Sequence, residues 1–342
     1  MLSLILLLCL LLSCPCTDST TLSPVSAVTE VFPEPENAVY YWKTRFGIGD
    51  SEEAFLRRNG LKKIYLRMFD VTDDEGEPVP NATVRIESSP WPDSLSVVPV
   101  VYITLDGLRT ARGKEDDLAR KIVERVKNMC SCHELPGVEE LQLDCDWTAT
   151  TEQSFFALCQ AVRGRVRCFG WRLSSTIRLH QLRHAVPPVD RGVLMVYNTG
   201  SFDDPDASNS IIDVRDVAPY MRHLYSYPLP LDVAYPAYSW QLLFRGRRFA
   251  GLMRETDTSD TTAFIPSGAG RHTALRDIPV GNTIIKEGDI IRTENPTYGD
   301  IMAVKELIDE NLGDRAHANI IYHLDCRNLR NYSNNEIKNI LR

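Results

Sequence analysis

The sequence predicts an α/β fold, a (β/α)8 TIM-type barrel with an insertion before its last βα unit. Three observations carry this expectation. From residue 38 onward, short β-rich runs alternate with helical patterns, which implies parallel strands joined by helical crossovers. Eight core strands can be counted, the number that closes such a barrel. An open doubly wound sheet would bring a Gly-x-Gly-x-x-Gly loop after its first strand. Lys43-Thr44-Arg45-Phe46-Gly47-Ile48-Gly49 does not supply that loop, and no Walker loop is present. A chain of 342 residues, 43% hydrophobic, is long enough for such a barrel, which typically takes roughly 250 residues.

Taken in order, residues 38–46 read as the first strand. Ser51 caps a helix over 52–59 that Gly60 closes. Residues 63–71 form the second strand, and an Asp/Glu/Gly/Pro-rich excursion follows with a minor strand at 81–87. The third strand is 97–105. A helix over 114–129 places Leu118, Ile122, Val126 and Met129 on one face. Strand 140–146 leads to helix 150–163, and strand 171–179 to a helical turn near 180–184. Strand 192–198 precedes a helix near 214–224, and 230–235 is the seventh strand. The polar stretch 245–297 interrupts the alternation; it holds a small hairpin at 283–292 and adds little to the core. Helix 299–311, strand 319–324 and a final helix capped by Ser333 complete the barrel.

The amino-terminal 37 residues stand apart from this fold. Residues 2–12 are almost wholly apolar, the length of a signal-peptide core rather than of a membrane span. The run ends in Leu11-Leu12-Ser13-Cys14, which resembles the lipobox of bacterial lipoproteins, although no Lys or Arg precedes it. That resemblance implies a signal peptide over 1–13, lipidation of Cys14 and a flexible Thr/Ser/Pro/Glu-rich tether over 14–37. A plain secretory signal is the alternative. The barrel domain is then 38–342, with the insertion at about 245–297.

Composition narrows the partners. A net charge of −8 argues against nucleic acid, which needs a basic face. Of nine cysteines, Cys9 falls in the signal and Cys14 would carry lipid, which leaves an odd number in the mature chain. Cys159 and Cys168 flank a helix end at a spacing that allows a pair. Cys130-Ser131-Cys132-His133 lacks a second cluster at metal-binding spacing, so neither a metal nor another cofactor is expected. His180, His184, His223 and His272 show no ligand spacing and read as surface or helix-end residues. The basic run 245–248 reads as a solvated loop face.

In such a barrel, chemistry sits where the strands end. Along Leu141-Gln142-Leu143-Asp144-Cys145-Asp146, alternation points Gln142, Asp144 and Asp146 into the barrel. Two carboxylates about 7 Å apart on one face repel, so one pKa rises, which suits general acid/base work. The structural alternative is that one Asp caps the following helix and the other pairs with a core Arg. Asp106, on the face of Tyr102 and Thr104, and Asp325, on the face of His323, are candidates for a second carboxylate across the mouth. Trp42, Arg45, Tyr197, Asn198, Tyr235 and Tyr238 supply the rings and polar groups that sugar sites use, though any single ring could equally pack the barrel.

Asp144-Cys145-Asp146, Leu173-Ser174-Ser175-Thr176 and Met195-Val196-Tyr197-Asn198 resemble successive strands of the chitinase-like glycoside hydrolase barrels. There an Asp-x-x-Asp-x-Asp-x-Glu strand precedes a Met-x-Tyr-Asp strand. The resemblance implies Asp146 as the carboxylate that assists the substrate's N-acetyl group, Asp144 as its support and Tyr197 as the holder of that group. Two positions depart: Thr148 stands where the general-acid Glu belongs, and Asn198 where the Asp after the Tyr belongs. Over most of the body the chain also resembles an uncharacterised family of exported bacterial glycoside-hydrolase-like barrel proteins. Tyr40-Tyr41-Trp42, Gln142 to Asp146, the Leu-Ser strand and Leu231-Asp232-Val233-Ala234-Tyr235-Pro236 carry that likeness.

The expected function is that of a lipid-anchored bacterial envelope protein whose glycosidase-like barrel hydrolyses a glycan by carboxylate acid/base chemistry. A carboxyl separation near 5 Å would imply retention, and about 6.5–9.5 Å inversion. The alternative is a non-catalytic carbohydrate-binding or envelope interaction lipoprotein on the same barrel, since the usual Glu is missing. A metal hydrolase would need a ligand set that this sequence does not present.

Overall fold

A computed structural model describes residues 34–87, 91–92, 94–253, 256–281 and 283–342. The apolar run, Cys14 and most of the tether lie outside these residues. Eight strands form the barrel: β1 (Ala38–Tyr41), β2 (Lys63–Asp74), β3 (Ser96–Ile103), β4 (Glu140–Asp144), β5 (Arg172–Arg178), β6 (Arg191–Met195), β7 (Leu231–Pro236) and β8 (Asn319–Tyr322). Each pairs in parallel with the next, and β8 pairs in parallel with β1, which closes the cylinder. The expected (β/α)8 barrel is therefore the observed fold.

The helices between strands follow their sequence signals. Gly60, in the left-handed conformation at φ 65°, ends α1 (Asp50–Asn59); the cap at its start is Gly49, two residues ahead of the expected Ser51. The short helix α2 (Leu105–Thr110) starts directly after β3, with the Thr104 hydroxyl accepting from the Gly107 N–H. Gly107 lets this helix lie against β2, because a Cβ there would sit 2.6 Å from the Val71 carbonyl oxygen. In α3 (Glu115–Cys132), Leu118, Ile122 and Val126 are buried on one face. It packs beside α4 (Glu152–Val166) on the outside of the barrel. The helix expected at 214–224 is instead three short turns, Val214–Val217, Ala218–Tyr220 and Met221–Tyr225. Pro219 lacks the N–H that would join them.

Alternation sorts the strand residues into two cores. Leu141, Leu143 and Cys145 join the layer between sheet and helices. Ala38, Tyr40, Tyr65, Val100, Val193, Met195, Ala234 and Ile320 fill the barrel itself. Its lower interior is polar and paired. Lys63 donates to Glu140 at 2.9 Å, Ser174 to Glu140 at 2.5 Å, and Arg191 to Asp232 at 2.8 Å. A layer higher, the Tyr40 hydroxyl donates to Gln142 at 2.6 Å. These bonds satisfy groups whose unpaired burial would be costly.

The insertion between β7 and the helix Tyr298–Leu312 is more ordered than its composition suggests. It begins at Trp240 and forms a five-stranded antiparallel sheet from Trp240–Arg245, Arg248–Met253, Phe264–Gly268, Arg271–Ala274 and Ile290–Glu294. Thr283–Ile285 pairs with Ile278–Val280, not with 290–292, so the expected hairpin is corrected. As expected, this stretch adds little to the barrel core, to which it contributes none of the described buried residues, but it has a core of its own. Leu243, Phe264, Ala274, Ile285 and Ile291 bury a cluster of their own. The basic run lies at a turn in which Arg245 pairs with buried Asp289 and Arg247 with Asp206.

Cys159 is buried and Cys168 exposed, and both are free thiols, so the suggested pair does not form. Among the described residues, no helix is long and apolar enough to cross a membrane. No group of three His, Cys, Asp or Glu side chains among them is arranged to hold a metal.

Candidate functional site

The candidate site is at the carboxyl ends of the strands, and Arg178 organises it. This residue ends β5 on the inward face, two positions beyond Thr176, so its guanidinium reaches the end of β4. Its Nε donates to Asp146 and its Nη2 donates to Asp144 at 3.3 Å. Asp144 is fully enclosed and also accepts from the Thr176 hydroxyl at 2.6 Å. Burial pushes the Asp144 carboxyl up; Arg178 and Thr176 pull against it, and the Asp146 charge adds to the rise. Burial disfavours the Arg178 charge, but Asp144 and Asp146 together outweigh it and hold its proton.

Both carboxylates therefore share one core Arg. Neither caps α4, whose first turn is arranged instead by Thr148 and Thr151. Thr148, at the position where a general-acid Glu would stand, is occupied with the Thr150 hydroxyl 3.0 Å away. The Tyr102 side chain comes into the same region, and burial together with the Asp146 and Asp144 charges pushes its hydroxyl up to about 12.

Two cavities open here, and Asn198 lines both. The smaller, about 270 Å³, is lined by Asp146, Arg178, His180, Tyr197, Asn198 and Tyr220 among others. Asp146 is the one carboxylate among its described lining residues. The larger, about 800 Å³, is bounded by Tyr238, Trp240, Tyr322, His323, Asp325 and Arg327. Between them stands an aromatic ridge. Tyr197 stacks on Tyr322 with centroids 4.4 Å apart, and Tyr238 meets both edge-on. The Tyr238 hydroxyl donates to Asn198 at 2.5 Å, across the top of the ridge. Asn198 takes the left-handed conformation at φ 53°, a strained backbone that Asn tolerates better than most residues. Trp42 extends the aromatic surface: it packs on Tyr322, and the Arg67 guanidinium lies over its ring at 5.7 Å.

The structure thus brings together Asp144, Asp146, Tyr197, Asn198, Tyr238 and Trp42. Asp325 borders the larger cavity but is already engaged. It caps the short helix Cys326–Leu329 through the Arg327 N–H, and lies 3.5 Å from both Lys43 and the Arg327 guanidinium. Burial opposes its ionisation, but these donors hold its carboxyl below the ordinary value.

Three expected positions lie elsewhere. Asp106 does not end a strand: β3 stops at Ile103, so Asp106 sits in the first turn of α2, exposed and paired with Arg109 at 2.7 Å. Arg45 belongs to a two-residue ribbon with Arg85–Ile86 and pairs with Glu87 in solvent. Tyr235 points away from the cleft. Asp232 and Ala234 face the barrel, so Tyr235 joins the layer between sheet and helices, with Lys305 over its ring.

Sequence reasoning missed Arg178, Tyr322 and His180. Inward parity along β5 and β8 points to the first two. His180, read as a surface or helix-end residue, is indeed exposed in the helical turn Leu179–Arg183, but because that turn follows β5 directly it also borders the Asp146 cavity. It also missed a bulge in β2. The register shifts between Arg67 and Phe69, so Met68 and Phe69 both join the helix layer. Arg67 and Asp70, on either side of them, pair bidentately.

No family model matches the chain, and no curated protein does. Solved structures do resemble it. The spore cortex-lytic enzyme SleL of Bacillus cereus aligns over 88% of this chain and 75% of its own, with a TM-score of 0.51 and 13% identity. A chitinase from Chromobacterium violaceum aligns over 87% and 98%, with a TM-score of 0.51 and 12% identity. The Group IV chitinase of Ostrinia furnacalis, in complex with allosamidin, aligns over 90% and 98%, with a TM-score of 0.53 and 11% identity. At such identities the likeness is one of fold: this chain has the architecture of the chitinase-like glycoside hydrolase barrels.

Proposed function

We propose that the barrel mouth binds a glycan, with Asp146 as its principal polar contact. The observation that carries this reading is the smaller cavity. A single carboxylate is oriented there by a guanidinium, beside Tyr197 and Asn198. A carboxylate held in place accepts hydrogen bonds from sugar hydroxyl or acetamido groups without first having to be ordered. The adjoining rings of Tyr322, Tyr238 and Trp240 offer apolar faces on which pyranose rings can stack. That the similar folds include chitinases, one of them holding allosamidin, supports a glycan containing N-acetylated sugars.

Hydrolysis is the second reading, and the Asp144–Asp146 pair favours it. Burial moves the protonation of Asp144 upward, while Asp146 faces the cavity, where it could orient an N-acetyl group. Against this stand Thr148 at the acid position and the pairing of Asp325 with two cations.

The test is a panel of N-acetylglucosamine oligomers and peptidoglycan fragments, with wild type beside Asp146→Asn, read by calorimetry and mass spectrometry. Asp146→Asn is expected to weaken binding about tenfold or more, the loss of one charge-assisted contact. Product release by the wild type alone would establish hydrolysis. Absence of binding by the wild type would overturn the glycan reading.

The same proposal places the protein in the bacterial cell envelope, held through a lipid on Cys14. The apolar run 2–12 followed by Ser13-Cys14 supports it, as does a polar segment of tether composition before the barrel. Full-length protein expressed in a bacterium is expected to incorporate labelled palmitate, and Cys14→Ser to abolish the label. Release of an unlabelled, cleaved wild type into the medium would favour a plain secretory signal.

A further inference from the structure

We propose that Glu294, a buried carboxylate of the insertion, is a positioning residue that holds the Trp240 indole against the larger cavity. This rests on the glycan reading above and names a determinant of affinity that lies outside the barrel strands. Glu294 and Arg292 have side chains 0% and 1% exposed, with Arg292 Nε 2.7 Å from Glu294 Oε1. The other oxygen, Oε2, accepts three bonds: from Trp240 Nε1 at 2.6 Å, Ser210 Oγ at 2.6 Å and the Ser210 N–H at 3.0 Å. Burying a charge this deeply is costly unless it is paired and hydrogen-bonded: the three donors fill Oε2, while Oε1 has the charge contact with Arg292 and no hydrogen bond of its own among the described residues.

The pair also grips the loop that follows β6. Arg292 donates to the carbonyls of Asp204 at 2.5 Å, Ala207 at 3.1 Å and Phe202 at 3.0 Å. Thus one buried ion pair joins the insertion sheet to the loop that begins at Asn198 and Thr199, which border the smaller cavity. Trp240 is caught between the two, edge-on to Tyr238 at 5.8 Å and to Phe202 at 6.4 Å. An indole already fixed in one orientation loses little further freedom when a sugar stacks on it, which strengthens binding.

The test compares wild type with Ser210→Ala, Glu294→Gln and Trp240→Phe. Ser210→Ala removes one donor but leaves the backbone N–H, so it should fold even if Glu294→Gln does not. The chain has five tryptophans, and the indole N–H resonance missing from Trp240→Phe identifies Trp240. In Ser210→Ala that resonance is expected to shift, and affinity for an N-acetylglucosamine hexamer to fall about fivefold, the cost of ordering one loosened side chain. A shifted resonance with unchanged affinity would overturn the positioning role while leaving glycan recognition intact. A resonance that does not move in either Ser210→Ala or Glu294→Gln would overturn the proposal at its root. A wild type that binds no oligomer overturns the glycan reading, and the affinity role falls with it.

Discussion

Replacing Arg178 with Met is expected to destabilise the protein by about 3 kcal/mol or more at pH 7.5, as removal of one partner from a buried ion pair does. The guanidinium is the cation that Asp144 and Asp146 share, and the Asp144 side chain is 3% exposed. Asp146 is far more exposed and will find water in the variant. Asp144 will not, and keeps only the Thr176 hydroxyl. The pH dependence distinguishes this cause from lost packing. Without Arg178, the folded-state pKa of Asp144 moves further above its unfolded value of about 3.9, so the folded protein tolerates the protonated form better. The destabilisation is therefore complete at high pH and is relieved as pH falls through the raised value. Urea unfolding at pH 7.5 and pH 5 is expected to show a smaller deficit at pH 5. Asp144→Asn added to Arg178→Met should recover much of the loss at pH 7.5. A deficit that is equal at both pH values, and not rescued, would mean that Arg178 acts through its methylenes.

The barrel was legible because its signals are local. β-rich runs separated by helical patterns register strand by strand, and the parity of Leu141 to Asp146 places Asp144 and Asp146 inward without knowledge of any other strand. What failed was information held between segments. Asp106 looked like a strand end, but Thr104 supplies a helix cap at once, and so short a helix has no periodicity to announce it. Tyr235 was assigned by its nearness to a strand end, although the parity of Asp232 puts it on the opposite face. Arg178 could be seen only by asking which inward strand ends carry a cation able to reach the neighbouring strand's carboxylates. The insertion shows the same limit on a larger scale. None of its strands exceeds six residues, and its core exists only once distant segments pair. Glu294 and Arg292 lie within that polar stretch, and nothing in the linear sequence distinguishes them from solvated charges.

The charges at the barrel mouth are almost all neutralised in pairs, which makes the unpaired nitrogen of His323 conspicuous. His323 borders the larger cavity, yet its Nδ1 is buried and has no hydrogen-bond partner among the described residues. Burial lowers its pKa to about 4; Asp325 acts against this shift, and Lys43 adds to it. The imidazole is therefore neutral in the folded protein at pH 7 and titrates near 6.5 once unfolded. Because the folded value is depressed, its contribution is fully present above pH 6.5 and is lost as pH falls towards 4. The gap is worth about 3 kcal/mol at roughly 1.4 kcal/mol per unit. Other groups move with pH as well. His317, raised chiefly by its bond to Asp309, contributes in the opposite sense, its stabilisation being present below about 6.5 and lost above. Asp325 and Asp309, both lowered, lose stabilisation only as pH falls below the usual carboxylate range. These terms are common to wild type and His323→Gln, so the difference between the two proteins isolates His323. Unfolding free energies measured at pH 7.5 and 4.5 are expected to show wild type losing about 2–3 kcal/mol more than His323→Gln over that interval. Parallel losses would mean that His323 reaches water and already takes a proton in the folded state. It could then donate hydrogen bonds from both ring nitrogens at mildly acid pH, whereas the neutral ring donates from one and accepts at the other.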